Sequence, residues 1–160
     1  YLLRSLVSSQ HALFHEKGLH LRFINESGRD ELMADIDADL IREAVVNLMS
    51  NAMRYTDEDG YVKVSARLER GDVLISVQDT GIGIAKEDIP QTFSRFWRSD
   101  VSRERVSGGL GVGLSLTKEI VDKHNGTILV ESELGRGTTF TLRIPQNRGR
   151  RNLAQAIQEG

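Results

Sequence analysis

Two glycine-rich segments constrain the fold of this 160-residue chain more than any other feature. The first, Asp79–Ile84, follows residues of alternating polarity and places a carboxylate and a tight turn at the end of a strand. The second, Gly108–Leu114, holds four glycines within six residues and runs directly into a helical pattern. Together they predict a pocket to which a strand end and a helix start both contribute.

Composition narrows the class of protein. Hydrophobic residues make up 39% of the chain and charged residues 28%, as in an ordinary globular domain. A formal net charge of −2 gives no electrostatic basis for binding nucleic acid. The absence of cysteine excludes disulfides and thiolate metal sites. No apolar run approaches the roughly 18 to 20 residues of a membrane-spanning helix.

The first third of the chain alternates helical and strand-like patterns. Residues 1–17 have helical spacing of apolar side chains and end at Gly18, and a strand is predicted around Leu19–Phe23. Leu32–Ile36 is interpreted as a second short strand. Asp37 or Asp39 then predicts the N-cap of a helix that runs to about Tyr55.

Two hairpins and one helix follow. Residues 62–68 and 73–77 alternate in polarity across a turn at 69–72, and residues 128–130 and 140–144 do so across 135–137. A helix is predicted from about 111 to 124, after an irregular stretch over 85–110, and a polar tail follows Pro145. The expected fold is therefore α+β, a two-layer α/β sandwich with about three helices on one face of a mixed, mostly antiparallel sheet.

One stripe of the second helix carries polar side chains. Asn47 and Asn51 are four residues apart, and Arg54 and Tyr55 lie one turn further on. Two interpretations stay open. The amides could bond neighbouring backbone, or their oxygens could hold a hydrated Mg²⁺, an ion that prefers oxygen ligands.

Asp79 also has two interpretations. By period two it continues the core-facing row of its strand, where a carboxylate needs a partner. It could cap the following turn, or it could accept a hydrogen bond from an exocyclic amine such as that of adenine. In the second case Gly81 and Gly83 would let the backbone approach the base.

The glycines of 108–114 are either a flexible loop or a phosphate site at a helix N-terminus. The run is not a P-loop, because no Gly-Lys-Ser/Thr follows, and no strand precedes it as in a Rossmann fingerprint.

The order of these segments resembles the catalytic, ATP-binding domain of two-component sensor histidine kinases. Asn47–Thr56 is similar to the N box of that family, Asp79–Ile84 to its G1 box, Phe93–Arg98 to its F box and Gly109–Leu114 to its G2 box. Gly135–Phe140 resembles the closing glycine-threonine motif. The similarity spans about 19–145 and implies the Bergerat fold of the GHKL superfamily, which includes gyrase, Hsp90 and MutL.

The resemblance implies a role for each matching residue. Asp79, supported by Thr138, would bind the adenine amine, with Tyr55, Ile84 and Leu114 packed around the purine. Asn47 and Asn51 would be the Mg²⁺ ligands, and Arg54 would lie near the phosphates. Residues 93–110 would form a mobile ATP lid, in which Arg98, Arg103 and Arg105 either contact phosphate or a partner or are merely solvated. The other implied nucleotide contacts are Gly81, Gly83, Phe96, Gly109, Leu110, Gly111, Val112 and Gly113; Leu110 departs from the hydroxyl of many relatives.

The same resemblance predicts that the chain contains no catalytic residue of its own. Hydrolysing GHKL members have a glutamate base where Asn47 stands, and an amide cannot accept a proton at neutral pH; Glu43, a further turn away, is a weaker alternative. None of the four histidines lies in an H-box pattern, so the phosphoacceptor is expected outside this chain. Residues 1–17 would end a connecting helix, 18–146 would form the ATP-binding domain and 147–160 a polar tail.

The implied partners are ATP or ADP, a dimerisation and phosphoacceptor domain of the parent protein, and a response regulator. The isolated chain is expected to be monomeric, to bind Mg-ATP and not to autophosphorylate, as a cytoplasmic part of a homodimeric parent. Two other functions stay open: a serine kinase of the anti-sigma-factor type, and a degenerate module that binds nucleotide without phosphotransfer. Asn47 disfavours a GHKL ATPase.

Overall fold

The computed structural model describes residues 1–94 and 113–146. Within them the chain forms three helices and five strands, with a short 3₁₀ helix over Ile89–Gln91. The helices are α1 (Leu2–Glu16), α2 (Ala38–Tyr55) and α3 (Gly113–Lys123), and the strands are β1 (His20–Asn25), β2 (Tyr61–Glu69), β3 (Asp72–Asp79), β4 (Thr127–Glu133) and β5 (Gly137–Pro145). The lid and the polar tail predicted from the sequence lie outside the described residues.

The five strands form one open sheet in the order β1-β2-β3-β5-β4. β1 runs parallel to β2, and the other three pairs are antiparallel. The predicted β2–β3 hairpin turns at Arg70 and Gly71, which both have positive φ (51° and 82°), as a tight two-residue hairpin requires. The mixed, mostly antiparallel sheet of the prediction is confirmed.

The hydrophobic core lies on one face of this sheet. Val73, Ile75 and Val77 of β3 belong to it, whereas Ser76, between them, hydrogen-bonds Thr141 of β5 on the opposite face (2.9 Å). The helices supply the other side of the core with residues such as Phe14 of α1, Leu48 of α2 and Ile120 of α3. The predicted two-layer sandwich is therefore confirmed, and α1 packs as part of it.

Helix α2 lies at the centre of the helical layer because its sequence has a clear start and a wide apolar face. The Asp37 side chain accepts a hydrogen bond from the Leu40 backbone N–H (3.2 Å), which confirms one of the two predicted N-caps. Its buried positions recur every three or four residues: Ile41, Ala44, Val45, Leu48, Met49 and Ala52.

The short strand expected over Leu32–Ile36 is wrong. These residues form no strand, although Leu32, Ala34 and Ile36 pack against the core as their alternation indicates. The segment makes one backbone hydrogen bond to the end of β5, from Asp35 N–H to the Gln146 carbonyl (2.9 Å). A period of two thus arises here from an irregular segment that packs one side against the core.

A buried histidine joins the end of α3 to the start of α2. His124 is 0% exposed, and its Nδ1 lies 2.8 Å from the carbonyl oxygen of Ile120. Its Nε2 accepts a hydrogen bond from the Asp37 backbone N–H (3.0 Å). Because Asp37 is the N-cap of α2, this ring fixes the two helices relative to each other.

Among the described residues, none of the helices combines the length and the apolar character that a bilayer crossing needs.

Candidate functional site

Asp79 is the last residue of β3 and lies in the middle of the sheet. It pairs in register with Val62 of β2 on one side and with Thr138 of β5 on the other. Its side chain is 6% exposed. The sequence prediction that Asp79 continues the buried row of its strand is confirmed.

Two backbone groups hold the Asp79 carboxylate. The N–H groups of Gly81 (2.9 Å) and Thr138 (3.2 Å) both donate to Oδ1. Within the described part of the chain, no hydrogen bond reaches the other carboxylate oxygen, Oδ2. The first of the two interpretations, a cap of the following turn, is therefore correct for one oxygen, and the second oxygen is left for another donor.

Burial raises the pKa of Asp79 above its ordinary value of 3.8, because the charged form loses hydration. The hydrogen bonds from Gly81 and Thr138 act in the opposite direction, since they stabilise the carboxylate. The balance leaves a carboxylate that is poorly solvated. Such a group gains more from an additional donor than an exposed acid does.

Backbone carbonyl groups of other residues occupy the positions that side chains on Gly81 and Gly83 would need. A Cβ on Gly81 would lie 2.4 Å from the carbonyl oxygen of Tyr55, and a Cβ on Gly83 would lie 2.1 Å from that of Glu133. Gly83 also has a φ of +73°, which favours glycine. Their close approach to other backbone explains both glycines before any ligand is considered.

The turn after β3 is fastened to two neighbouring elements. The Ile82 N–H donates to the Tyr55 carbonyl at the end of α2 (3.1 Å), and the Ile84 N–H donates to the Ser132 hydroxyl of β4 (2.7 Å). Ser132 in turn lies 2.7 Å from the Thr138 hydroxyl. Asp79, Thr138, Tyr55 and Ile84 are therefore brought together around this turn.

Two neighbours of this group were missed by sequence reasoning. Ser132 faces Thr138 across the β4–β5 hairpin, and the register of that hairpin is the signal that could have found it. Thr56 follows Tyr55 directly, and its hydroxyl oxygen is buried with no hydrogen-bond partner in the described ranges 1–94 and 113–146. No sequence pattern distinguishes such a threonine from an ordinary helix-terminal residue.

The polar stripe of α2 leads away from Asp79 toward α3. Asn47 and Asn51 are half-buried, and Arg54 is exposed. The Asn47 Nδ2 donates to the carbonyl oxygen of Gly113, the first residue of α3, over 3.4 Å. No hydrogen bond joins the side chain of Asn51 to another described residue. The interpretation in which the amides bond backbone therefore holds for one side-chain N–H of Asn47. The side-chain oxygen of Asn47 has no hydrogen-bond donor among the described residues.

Of the second glycine-rich segment, the structure describes the last two residues, which begin α3. Gly113 and Leu114 are half-buried there, and Leu114 packs against the core. The predicted nucleotide contacts Phe96, Arg98, Gly109, Leu110, Gly111 and Val112 lie outside the described residues. Asn47 and Tyr55, the two ends of the stripe on α2, are separated by about 12 Å along the helix axis.

Comparison with known proteins decides the family. Residues 36–148 match the family described as "Histidine kinase-, DNA gyrase B-, and HSP90-like ATPase". The chain belongs to this ATPase family. Within the family it is 41% identical over 131 residues to the sensor histidine kinase WalK of Bacillus subtilis, an alignment that covers 81% of this chain and 21% of WalK. The chain thus spans about a fifth of the length of that relative.

Solved structures of the same ATPase family share the fold. The nucleotide-free catalytic domain of the histidine kinase ThkA matches with a TM-score of 0.78 at 26% identity, over 91% of this chain and 92% of that one. Full-length ShkA in complex with AMPPNP gives a TM-score of 0.77 at 29% identity, over 90% of this chain and 29% of ShkA. ThkA in complex with the response regulator TrrA gives 0.76 at 24% identity, over 92% of this chain and 40% of that one. The predicted family resemblance is confirmed.

Proposed function

We propose that this chain is the ATP-binding catalytic domain of a two-component sensor histidine kinase. It binds Mg-ATP and donates the γ-phosphoryl group to a histidine on a separate dimerisation domain. In that step the bond from the γ-phosphorus to the bridging oxygen breaks, a bond to an imidazole nitrogen forms, and ADP leaves. The observation that carries the proposal is the buried Asp79 carboxylate, with one oxygen held by backbone and the other available to an amine.

Asp79 recognises the purine in this proposal. Its Oδ2 accepts a hydrogen bond from the exocyclic amine of adenine, while Oδ1 stays bonded to Gly81 and Thr138. The Tyr55 ring and the apolar side chains of Ile84 and Leu114 pack on the purine. The glycines Gly81 and Gly83 shape the turn that carries Ile84, because their backbone lies against Tyr55 and Glu133.

Asn47 and Asn51 hold Mg²⁺ at the phosphate end. The described residues contain no cluster of three histidine or acidic side chains that could hold a metal by itself. Mg²⁺ binds well with few protein ligands, because it keeps waters and phosphate oxygens in its shell. The two amide oxygens fit that chemistry, and the ion would supply charge neutralisation for the phosphates.

Arg54 and the start of α3 complete the phosphate end. Arg54 is exposed on the same helix as Asn51 and can reach solvent-facing phosphate oxygens. Gly113 begins α3, and a helix N-terminus favours negative charge. The lid residues Phe96, Arg98 and Gly109 to Val112 keep their predicted roles in this proposal.

The chain transfers phosphate and does not hydrolyse ATP in this proposal. Asn47 stands where a hydrolase would need a base, and its amide cannot accept a proton. Glu43 is one turn further from the start of α3 along α2 and is exposed, so it is poorly placed to activate a water. ATP is therefore kept intact for the histidine that a partner domain presents.

The parent protein supplies the other parts. Residues 1–17 end the helix that leads from the dimerisation and phosphoacceptor domain, and 18–146 bind ATP, whereas the predicted tail over 147–160 lies outside the described residues. A response regulator is the downstream partner, as the ThkA–TrrA complex illustrates for a structural neighbour. The parent is a homodimer whose catalytic part faces the cytoplasm.

Calorimetric titration with Mg-ATP tests the proposal. The unaltered chain is expected to bind with a Kd in the micromolar range, or about −8 kcal/mol. Asp79→Asn keeps a carbonyl oxygen for the Gly81 and Thr138 amides but turns an NH₂ group toward the purine amine. Its affinity is expected to fall by about 100-fold, because two donors then face each other.

Gln78→Ala is the matched control, since Gln78 is the preceding residue and is exposed. Its affinity should equal that of the unaltered chain. Equal binding by Asp79→Asn would contradict the assigned role of Asp79. A separately made dimerisation domain, added together with ATP, then distinguishes a histidine kinase from a serine kinase of the anti-sigma-factor type. Only the histidine kinase labels the histidine of that domain.

A further inference from the structure

Thr56 carries an unexplained polar group next to the proposed purine end. It is the first residue after α2 and is 8% exposed. Its Oγ1 is buried and has no hydrogen-bond partner among the described residues. Buried hydroxyls in native proteins are nearly always paired, with protein or with an ordered water, because an unpaired one is destabilising.

The orientation of Thr56 is set by two glycines. A Cβ on Gly60 would lie 2.2 Å from the Thr56 methyl carbon, so that methyl group fills the space beside Gly60. The hydroxyl points the other way, to Gly81. A Cβ on Gly81 would lie 3.0 Å from Thr56 Oγ1 and 2.9 Å from Asp79 Oδ1.

The hydroxyl and the carboxylate thus both lie close to the same side of Gly81. Both oxygens are about 3 Å from one point, yet no direct hydrogen bond joins them. Two polar groups this close to each other, one of them unpaired, are typical partners of a bridging water.

We propose that Thr56 is a positioning residue of the purine end, whose hydroxyl donates to a buried water that donates in turn to the Asp79 carboxylate. This inference rests on the proposed role of Asp79. The water adds a third donor to the carboxylate, which keeps it ionised and oriented for the purine amine. Thr56 does not touch the nucleotide itself.

The surroundings of Asp79 make such a donor effective. From the sheet it is faced by Val62 of β2 and Thr138 of β5, and from the turn by the Gly81 amide, none of which is charged. From the end of α2 it is approached by Thr56, beside the titratable Tyr55. The acidic residues that follow in sequence, Asp57, Glu58 and Asp59, are exposed to solvent.

Burial raises the pKa of Asp79, so each donor to its ionised form shifts that pKa down again. Loss of the Thr56 hydroxyl should therefore raise it further. A purely structural threonine would have no such effect. The pKa of Asp79 in a Thr56 variant therefore distinguishes a positioning role of Thr56 from a purely structural one.

Thr56→Val and Thr56→Ser test the inference in the full chain, by titration with Mg-ATP across a range of pH and by denaturant unfolding. Thr56→Val keeps the shape but removes the hydroxyl. Its affinity is expected to fall by about threefold to tenfold, and its loss of binding toward acid should begin at a higher pH. Thr56→Ser should restore both. Thr56→Ala with the same Ser rescue serves if the valine variant fails to fold.

Other outcomes overturn the inference. Unchanged affinity and an unchanged pH profile for Thr56→Val would do so, as would weaker binding with no change in the pH profile, which indicates a structural role. A more stable Thr56→Val with normal binding would show that the hydroxyl is dry and unpaired. If the unaltered chain binds no ATP, the proposed function fails, and that result is distinct from each of these.

Discussion

The two ends of the candidate site are built by different means. At the proposed purine end, around Asp79, the carboxylate is fixed by strand register and by two backbone N–H groups. At the phosphate end, Asn47 and Asn51 project from α2, and one long hydrogen bond of 3.4 Å connects Asn47 to Gly113. The first end is part of the folded sheet, whereas the second consists of side chains at the border of two helices.

Because of this difference, substitutions at the two ends should have different effects on folding and on nucleotide binding. A change in the turn after β3 affects backbone that packs on Tyr55 and Glu133, so it should alter both folding and nucleotide binding. A change at Asn51 removes a half-buried side chain that has no described hydrogen bond, so it should alter binding alone. Two substitutions and a change of pH test that comparison, beginning with the largest expected effect.

Gly83→Ala should disrupt the proposed purine end by destabilising the turn after β3. Gly83 has a φ of +73°, and its Cβ would lie 2.1 Å from the Glu133 carbonyl oxygen. The free energy of unfolding should fall by about 2 to 3 kcal/mol, measured by urea denaturation, because strain and steric overlap add. ATP affinity should fall in the same variant, since the Ile84 side chain moves with the turn.

Gly135→Ala is the matched control. Gly135 also has positive φ (+80°), but a Cβ there would meet nothing within 4 Å. Its cost should be about 1 kcal/mol, from backbone strain alone. Equal destabilisation by the two variants would show that the close approach of Gly83 to Glu133 is unimportant.

Asn51→Ala should weaken the phosphate end without unfolding it. Mg-ATP affinity is expected to fall by about tenfold, because one amide oxygen is lost from the metal. The free energy of unfolding should change by less than about 0.5 kcal/mol. Titration with ATP in the presence of EDTA is the internal control, since no metal is then bound. Equal losses with and without Mg²⁺ would contradict a metal-binding role.

The smallest expected effect is the pH dependence, which belongs to the purine end alone. The folded-state pKa of Asp79 is raised above 3.8, so between these two values the folded chain holds a proton that the unfolded chain has lost. The stability that Asp79 contributes is therefore present below 3.8 and is lost as the pH rises through the folded pKa. Asp79→Asn should remove this dependence.

Nucleotide affinity should change with pH in the opposite direction to stability. The purine amine needs the ionised carboxylate, so affinity should fall as the pH drops, by about twofold once the pH equals the Asp79 pKa. Adenosine, which has no titrating phosphate, provides the appropriate probe. A flat profile for adenosine would mean that Asp79 does not change its protonation on binding.

Local patterns in the sequence predicted the frame and the buried position of Asp79 well. The alternation of Val73, Ile75 and Val77 fixes which face of β3 is buried, and counting two residues on places Asp79 in the core. The turn at Arg70–Gly71 and the cap at Asp37 follow from the chemistry of those residues. These features depend on neighbours in sequence, which is why they can be read without a structure.

Other features depend on contacts between distant residues. Ser132 reaches Ile84, and the backbone of Glu133 fills the space above Gly83, because β4 lies beside the turn in the folded chain. Leu32–Ile36 has the alternation of a strand, but it finds one backbone partner at Gln146 and forms no ladder. Local alternation alone does not show whether a ladder partner exists.

The ring of His124 has a chemical consequence. Its Nε2 must carry a lone pair to receive the Asp37 N–H, so the hydrogen sits on Nδ1 and points at the Ile120 oxygen. An imidazole can be phosphorylated only at a nitrogen whose lone pair is free and can be approached from solvent. In His124 one nitrogen is protonated and the other is already engaged, with no surface exposed. His124 is therefore not available as a phosphoacceptor in this fold.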